Sequence, residues 1–189
     1  SKIREALKDN TLLVSLQYVN NEIGTIQKIE EVAKAIRHFK KQIGRNLIDS
    51  SYPYLHTDAC QAPVFLEVNT ERLHVDLLTL DGGKMYGPRG AGILFIKRGV
   101  QIDPILLGGG QEKGLRSGTE VLQNALALSE AISLCTKRRK KDVEEIRKIQ
   151  NLFWNLLPKY FPNAVISGSI KEDERVPFIC NFALLGEDS

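Results

Sequence analysis

The stretch Val75-Asp76-Leu77-Leu78-Thr79-Leu80-Asp81-Gly82-Gly83-Lys84-Met85-Tyr86-Gly87-Pro88-Arg89-Gly90-Ala91-Gly92-Ile93-Leu94-Phe95-Ile96 leaves one short apolar run, crosses a glycine-rich turn and enters another. Runs this short, bounded by turn residues, read as strands: Val75 to Leu80 and Ala91 to Ile96. Upstream, Leu12 to Leu16 and Leu55 to Ala59 have the same character, which suits buried parallel strands. Between them, after the turn Asn20-Asn21-Glu22-Ile23-Gly24, residues Ile29, Val32, Ile36 and Phe39 recur at helical spacing. Strands alternating with helices predict an α/β domain with a mostly parallel sheet. In such sheets ligands sit beyond the carboxyl ends of the strands. Asn21, Asp58 and Lys84 all follow predicted strand ends, which marks a site before any motif is considered.

Further along, Ser117-Gly118-Thr119-Glu120 reads as a helix start, Ser117 and Glu120 forming a capping box, with the helix running to about Cys135. A second helix is expected from the basic run Lys137 to Lys141 to near Pro158, with Val143, Ile146, Ile149, Phe153 and Leu156 on one face. Strands are expected near Ala164 to Ser167 and over Phe178 to Leu185, in a different unit. The division is therefore 1–140, a large domain, and 141–189, the start of a small C-terminal α+β domain. The polar segment Lys41 to Tyr54 is long for an α/β connection and reads as an exposed excursion. Ser1 opens in mid-pattern, with Ile3, Ala6 and Leu7 on one helical face. Ser189 closes directly after an apolar run, so both ends read as cut and the chain as a central fragment.

Composition narrows the class. The 189 residues are 42% hydrophobic and 26% charged, ordinary globular usage with room for one sizeable core. A net charge of +3 gives no footprint for nucleic acid, and Lys137 to Lys141 reads as a solvated helix face. Cys60, Cys135 and Cys180 are odd in number and widely spaced, which suits reduced thiols in a cytoplasmic protein. No apolar stretch has the length of a membrane span, and a soluble intracellular protein without membrane association is expected. His38, His56 and His74 lack ligand spacing, so no metal is expected.

Lys84 is the candidate for chemistry. A lysine in a glycine-rich turn can be a plain surface residue. Gly82, Gly83, Gly87, Gly90 and Gly92, however, permit close approach of backbone to a bound group. A phosphate-binding P-loop is excluded, because Leu78 and Met85 stand where glycine and a hydroxyl residue are required. A lysine whose amine is deprotonated on burial forms Schiff bases. A carboxylate able to pair with a pyridinium nitrogen is its expected companion when the aldehyde is pyridoxal phosphate. Asp58 suits that role, though it also suits a helix cap; Gln61 reaches the same neighbourhood if the turn after Asp58 is helical. Thr119 with Ser117 at a helix start reads as an anion site, and Arg116 adds positive charge. Cys60 reads as a small packing residue in preference to a nucleophile.

Four stretches together resemble the cysteine desulfurases of the class V aminotransferase group, fold type I pyridoxal-phosphate enzymes. They are Val19 to Gln27, His56 to Gln61, Lys84 to Gly92, and Gly108 to Glu112 with Arg116 to Thr119, in the family's order and approximate spacing. The resemblance implies a three-layer α/β/α large domain and a homodimer. It implies that Lys84 is catalytic, holding pyridoxal 5'-phosphate as a Schiff base and shuttling protons. Asp58 would pair with the ring nitrogen, Asn21 and Gln61 would contact the cofactor (Gln61 at its phenolic oxygen), and Thr119 would reach the phosphate of the other subunit. The implied reaction converts L-cysteine to L-alanine. Its sulfur passes to an enzyme persulfide that feeds an iron–sulfur scaffold or tRNA thiolation.

Departures from the family pattern accompany the resemblance. Asp81-Gly82-Gly83 stands where the family has Ser-Gly-His, so a carboxylate replaces a phosphate donor and must turn away from a bound phosphate. The family's main phosphate loop, its ring-stacking histidine and the loop with the nucleophilic cysteine are expected outside these 189 residues. The alternatives are another class V enzyme, such as a selenocysteine lyase or an aminotransferase, and a non-catalytic binding or dimerisation remnant.

Overall fold

The computed structural model describes residues 2–43 and 52–186. The elements in order are α1 (Lys2–Ala6), β1 (Leu13–Gln17), α2 (Ile29–Ile43), β2 (Tyr54–Asp58), α3 (Thr70–Leu73), β3 (Leu77–Asp81), β4 (Gly92–Ile96), α4 (Leu122–Tyr160), β5 (Ala164–Ile166) and β6 (Phe182–Leu184). Strands β1 to β4 form one sheet in sequence order; β5 and β6 form a separate antiparallel pair. β1, β2 and β3 run parallel, and β4 returns antiparallel to β3 because the connection from Gly82 to Ala91 is too short for a crossover. The expected mostly parallel α/β sheet is present.

Register decides what each face of the sheet does. Ser15 pairs with His56 and Gln17 with Asp58; Asp58 pairs in turn with Thr79. Side chains alternate between faces, so Ser15, Gln17, His56, Asp58, Thr79 and Asp81 share one side. Leu16, Leu55, Thr57 and Leu78 share the other. Leu55 and Leu78 are buried there in one cluster with Ile29, Ala33 and Ile36 of α2. Thr57 is fully buried and satisfied, its hydroxyl donating to the Leu16 carbonyl at 3.1 Å. α2 forms where the 3.6-residue apolar period meets acids in the first turn (Glu30, Glu31) and lysines in the last (Lys40, Lys41). Of the expected excursion from Lys41 to Tyr54, residues 44–51 lie outside the described residues.

Three expectations are corrected here. The two helices expected over 117–135 and 137–158 are one helix, α4. The basic run does not interrupt it, since neither glycine nor proline intervenes and Arg138–Asp142 and Lys141–Glu145 pair one turn apart. Pro158 is accommodated in the last turn before Tyr160. The capping box at Ser117 and Glu120 does not form: α4 starts at Leu122 without a side-chain cap, and Ser117 Oγ donates instead to the Leu107 carbonyl at 3.2 Å. The strand expected over Phe178–Leu185 contracts to Phe182–Leu184. Pro177 has no amide to give a ladder, and the Val176 carbonyl accepts from Gln150 Nε2 at 3.3 Å.

Candidate functional site

The carboxyl ends of β1, β2 and β3 lie side by side, and the polar face of the sheet ends there in Gln17, Asp58 and Asp81. Each strand then feeds a turn that presents one candidate residue.

After β1 the turn is built by Asn20. Its Oδ1 accepts from the amides of Glu22 and Ile23, both at 2.9 Å, and its carbonyl accepts from the Gly24 amide at 3.0 Å. Gly24 takes φ +72°, a conformation that favours glycine. Asn21 emerges exposed on this turn, its Oδ1 accepting from Gln17 Nε2 at 3.1 Å, while Asn20 Nδ2 donates to Gln17 Oε1 at 3.2 Å. Gln17 thus ties the Asn21 turn to the strand opposite Asp58. Sequence reasoning missed Gln17; the available signal was its strand-end position on the polar face.

After β2, Asp58 is half-buried and its Oδ1 accepts from the Cys60 amide at 2.9 Å. That bond fixes the carboxylate at the strand end. Ala62 N donates to the Ala59 carbonyl at 2.9 Å, closing a turn in which Gln61 lies half-buried. Cys60 Sγ sits 3.8 Å from the Thr79 carbonyl, and its thiol is pushed up to about 12, first by burial and then by Asp58 and Asp81. The thiolate is the nucleophile, so this upward shift disfavours Cys60 as one. Two residues back, His56 spans the strands: Nδ1 lies 2.7 Å from Ser15 Oγ and Nε2 2.8 Å from Thr79 Oγ1. Hydroxyls both donate and accept, so the neutral ring is satisfied in either tautomer. Burial lowers the His56 pKa, opposed by the Asp58 carboxylate.

After β3, a 3₁₀ turn over Gly82–Met85 carries Lys84. Asp81 caps this turn, Oδ1 accepting from the Gly83 amide at 2.9 Å, so its carboxylate is folded onto its own backbone. Met85 is fully buried and anchors the turn, which leaves Lys84 exposed. Gly82 is needed for close approach: a Cβ there would meet the carbonyl oxygens of Pro88 at 2.8 Å and Ala91 at 2.9 Å. The buried lysine environment expected from the sequence is therefore corrected, since in this chain the amine faces solvent.

Thr119 is not part of the strand-end group. It lies exposed in the loop ahead of α4, three residues before the helix begins and three after Arg116, which donates to the Ser117 carbonyl. Among the described residues no group of His, Cys, Asp and Glu is arranged to hold a metal ion.

These features define an α/β protein with a polar, lysine-bearing cluster at the carboxyl ends of parallel strands. The chain belongs to the aminotransferase class-V family, whose model matches residues 1–184. It is similar to the putative cysteine desulfurase IscS 1 of Bacillus subtilis, 36% identical over 156 residues, covering 82% of this chain and 38% of that protein. It is also similar to the cysteine desulfurase IscS of Clostridium botulinum strain Hall, 33% identical over 184 residues, 97% of this chain and 43% of that protein. Among solved structures, a NifS-like protein from Rickettsia africae superimposes with a TM-score of 0.85 at 27% identity, over 99% of this chain and 48% of that one. The chain thus spans less than half the length of the relatives it matches.

Proposed function

We propose that this chain is the lysine-bearing part of a pyridoxal-phosphate-dependent cysteine desulfurase, a protein that converts L-cysteine to L-alanine and retains the sulfur as a persulfide. The observation that carries the reading is the convergence of Asn21, Asp58 and Lys84 on three adjacent strand ends. The donor set fits the ring and aldehyde of the cofactor: a fixed carboxylate at Asp58, carboxamides at Asn21 and Gln61, and an amine at Lys84 with no ion pair among the described residues. When bound, the cofactor would supply an electron sink for carbanionic character at the substrate's α-carbon. Asp58 would pair with the ring N–H, oriented by the Cys60 amide. Asn21 and Gln61 would hold polar atoms of the ring, and Lys84 Nζ would carry the covalent attachment and then move protons. Thr119 would serve the phosphate of a neighbouring subunit.

The phosphate end is the less well supplied, because Asp81 already uses the Gly83 amide and adds a negative charge. That one feature favours the second reading, a binding or dimerisation remnant without catalysis. A homodimer is supported by the large apolar residues left in water along one stretch, including Ile105, Leu107, Leu122 and Leu126. The division into a cofactor-binding part, 1–140, and the start of a smaller unit, 141–189, is supported by the separate β5–β6 sheet. The three cysteines are free, which supports a reducing, cytoplasmic setting; no helix among the described residues is long and apolar enough to cross a membrane. A sulfur-acceptor protein or iron–sulfur scaffold belongs to the same proposal. The test is the full-length protein incubated with L-cysteine and pyridoxal phosphate. Alanine release that is lost in Lys84→Ala is the expected result; alanine release unaffected by that substitution refutes the assignment, and none at all favours the remnant.

A further inference from the structure

The turn that presents Asn21 is braced from behind by a buried arginine that has no acidic partner among the described residues. Arg175 is 1% exposed. Its Nη2 donates to the Ser167 carbonyl at 2.7 Å and its Nη1 to the Ser169 carbonyl at 3.3 Å, and its guanidinium lies 5.1 Å from the centre of the Trp154 ring. The neighbouring Glu174 carboxylate is engaged elsewhere, with Ser169 Oγ and Lys171. Burial pulls the Arg175 pKa down. Arg175 Nε and Thr25 Oγ1 are both buried without a hydrogen-bond partner. Keeping a cation here is unfavourable compared with an apolar side chain of similar volume, so stability alone does not account for it.

Its neighbours give the reason. Thr25 and Arg175 form an antiparallel bridge. The Ile26 amide donates to the Glu174 carbonyl at 2.9 Å, and the Val176 amide to the Gly24 carbonyl at 3.0 Å. A Cβ on Gly24 would lie 3.0 Å from Ile179 Cβ and 3.3 Å from Arg175 Cγ, so the turn is seated directly on this segment. From the other side α4 holds the segment: Arg147 Nη1 donates to the Arg175 carbonyl at 3.3 Å and Gln150 Nε2 to the Val176 carbonyl. The same turn ends in Asn21, which is tied to Gln17 at the end of β1.

We propose that Arg175 is a positioning residue for the Asn21 turn. Its guanidinium, wedged between Trp154 and two carbonyls, locks residues 174–176, and these fix the 20–26 turn against the strand ends. The orientation of Asn21 is thereby set from the unit that contains β5. Only a planar, forked cation can stack on the ring and reach two carbonyls at once; lysine offers a point charge and cannot do both. That Asn21 faces a ligand rests on the proposed function; that Arg175 sets the turn does not.

Hydrogen exchange on the full chain and its Arg175→Lys variant tests this. The amides of Gly24, Ile26 and Val176 are expected to exchange roughly 10-fold faster in the variant, with those of β2 and β3 unchanged, as for a local opening. Unchanged exchange in the turn overturns the proposal, and so does a uniform acceleration through the sheet, which marks a merely structural role. Trp154→Leu, which removes the stacking plate together with its edge contact to Phe153, should accelerate the same amides and serves if Arg175→Lys does not fold. Pyridoxal phosphate affinity gives an independent arm: Asn21→Ala and Arg175→Lys should each weaken it, and the double variant should be no weaker than Asn21→Ala alone. Additive losses overturn the proposal. If the unmodified chain binds no pyridoxal phosphate, the functional reading fails while the exchange pattern still decides the role of Arg175.

Discussion

The two faces of one four-stranded sheet have been put to opposite uses. On one, Leu55 and Leu78 are almost wholly excluded from water, packed in the cluster that includes α2. On the other, Ser15, His56 and Thr79 form a hydrogen-bonded row across three strands, one step below Asp58 and Asp81. Successive residues of the same strand therefore face the core and the polar row in turn.

Substitutions on the two faces sharpen or break this contrast. Leu55→Ala should cost about 2–5 kcal/mol in denaturant unfolding, the usual range for a buried leucine. Ser15→Ala, which removes one hydroxyl from the polar row, should cost about 1 kcal/mol or less. Similar losses from both would mean that the faces are not divided in this way.

A smaller effect is expected where the polar face meets the lysine turn. Asp81→Ala should lose about 1 kcal/mol, as for other N-cap deletions, whereas Asp81→Ser keeps a capping oxygen and should lose less. Asp81→Ser should also tighten pyridoxal phosphate binding in a fluorescence titration, since it removes a carboxylate from beside the lysine turn. Unchanged affinity would separate Asp81 from the phosphate altogether.

The smallest effect concerns pH. Burial holds the His56 pKa below 6.5, so on acidification the unfolded chain takes up this proton before the folded one. The contribution is complete above 6.5 and is lost as the pH falls through the lower folded value. His56→Gln should flatten that part of the stability profile in thermal melts at a series of pH values. An unchanged slope would mean that His56 does not carry that part of the profile.

Much of the fold was legible because period and punctuation agree. The runs at Leu12, Leu55, Val75 and Ala91 are short, apolar and bounded by turn residues, and each became a strand within two residues of its expected bounds. Reading them as continuous apolar runs hid the alternation, however: Ser15, His56 and Thr79 are the polar members of a two-residue period. α4 was split because the run Lys137 to Lys141 reads as the start of a new helix. Its charges are compensated one turn onward, and Arg139 Nε donates to the Pro63 carbonyl at 3.0 Å. The Asn21, Asp58 and Lys84 positions were legible from strand ends alone. Gln17 and Arg175 were not, because one looks like any strand-end polar residue. The other owes its position to pairing with a turn 150 residues earlier in the chain, as Arg175 bridges Thr25.

The most direct test of the site is to add pyridoxal phosphate to this chain, reduce with borohydride and map the modified peptide by mass spectrometry. A stable label on Lys84, weakened by Asp58→Ala, is the predicted result. Label spread over the exposed lysines with none favoured, or a Lys84 label indifferent to Asp58, would contradict a cofactor site at these three strand ends.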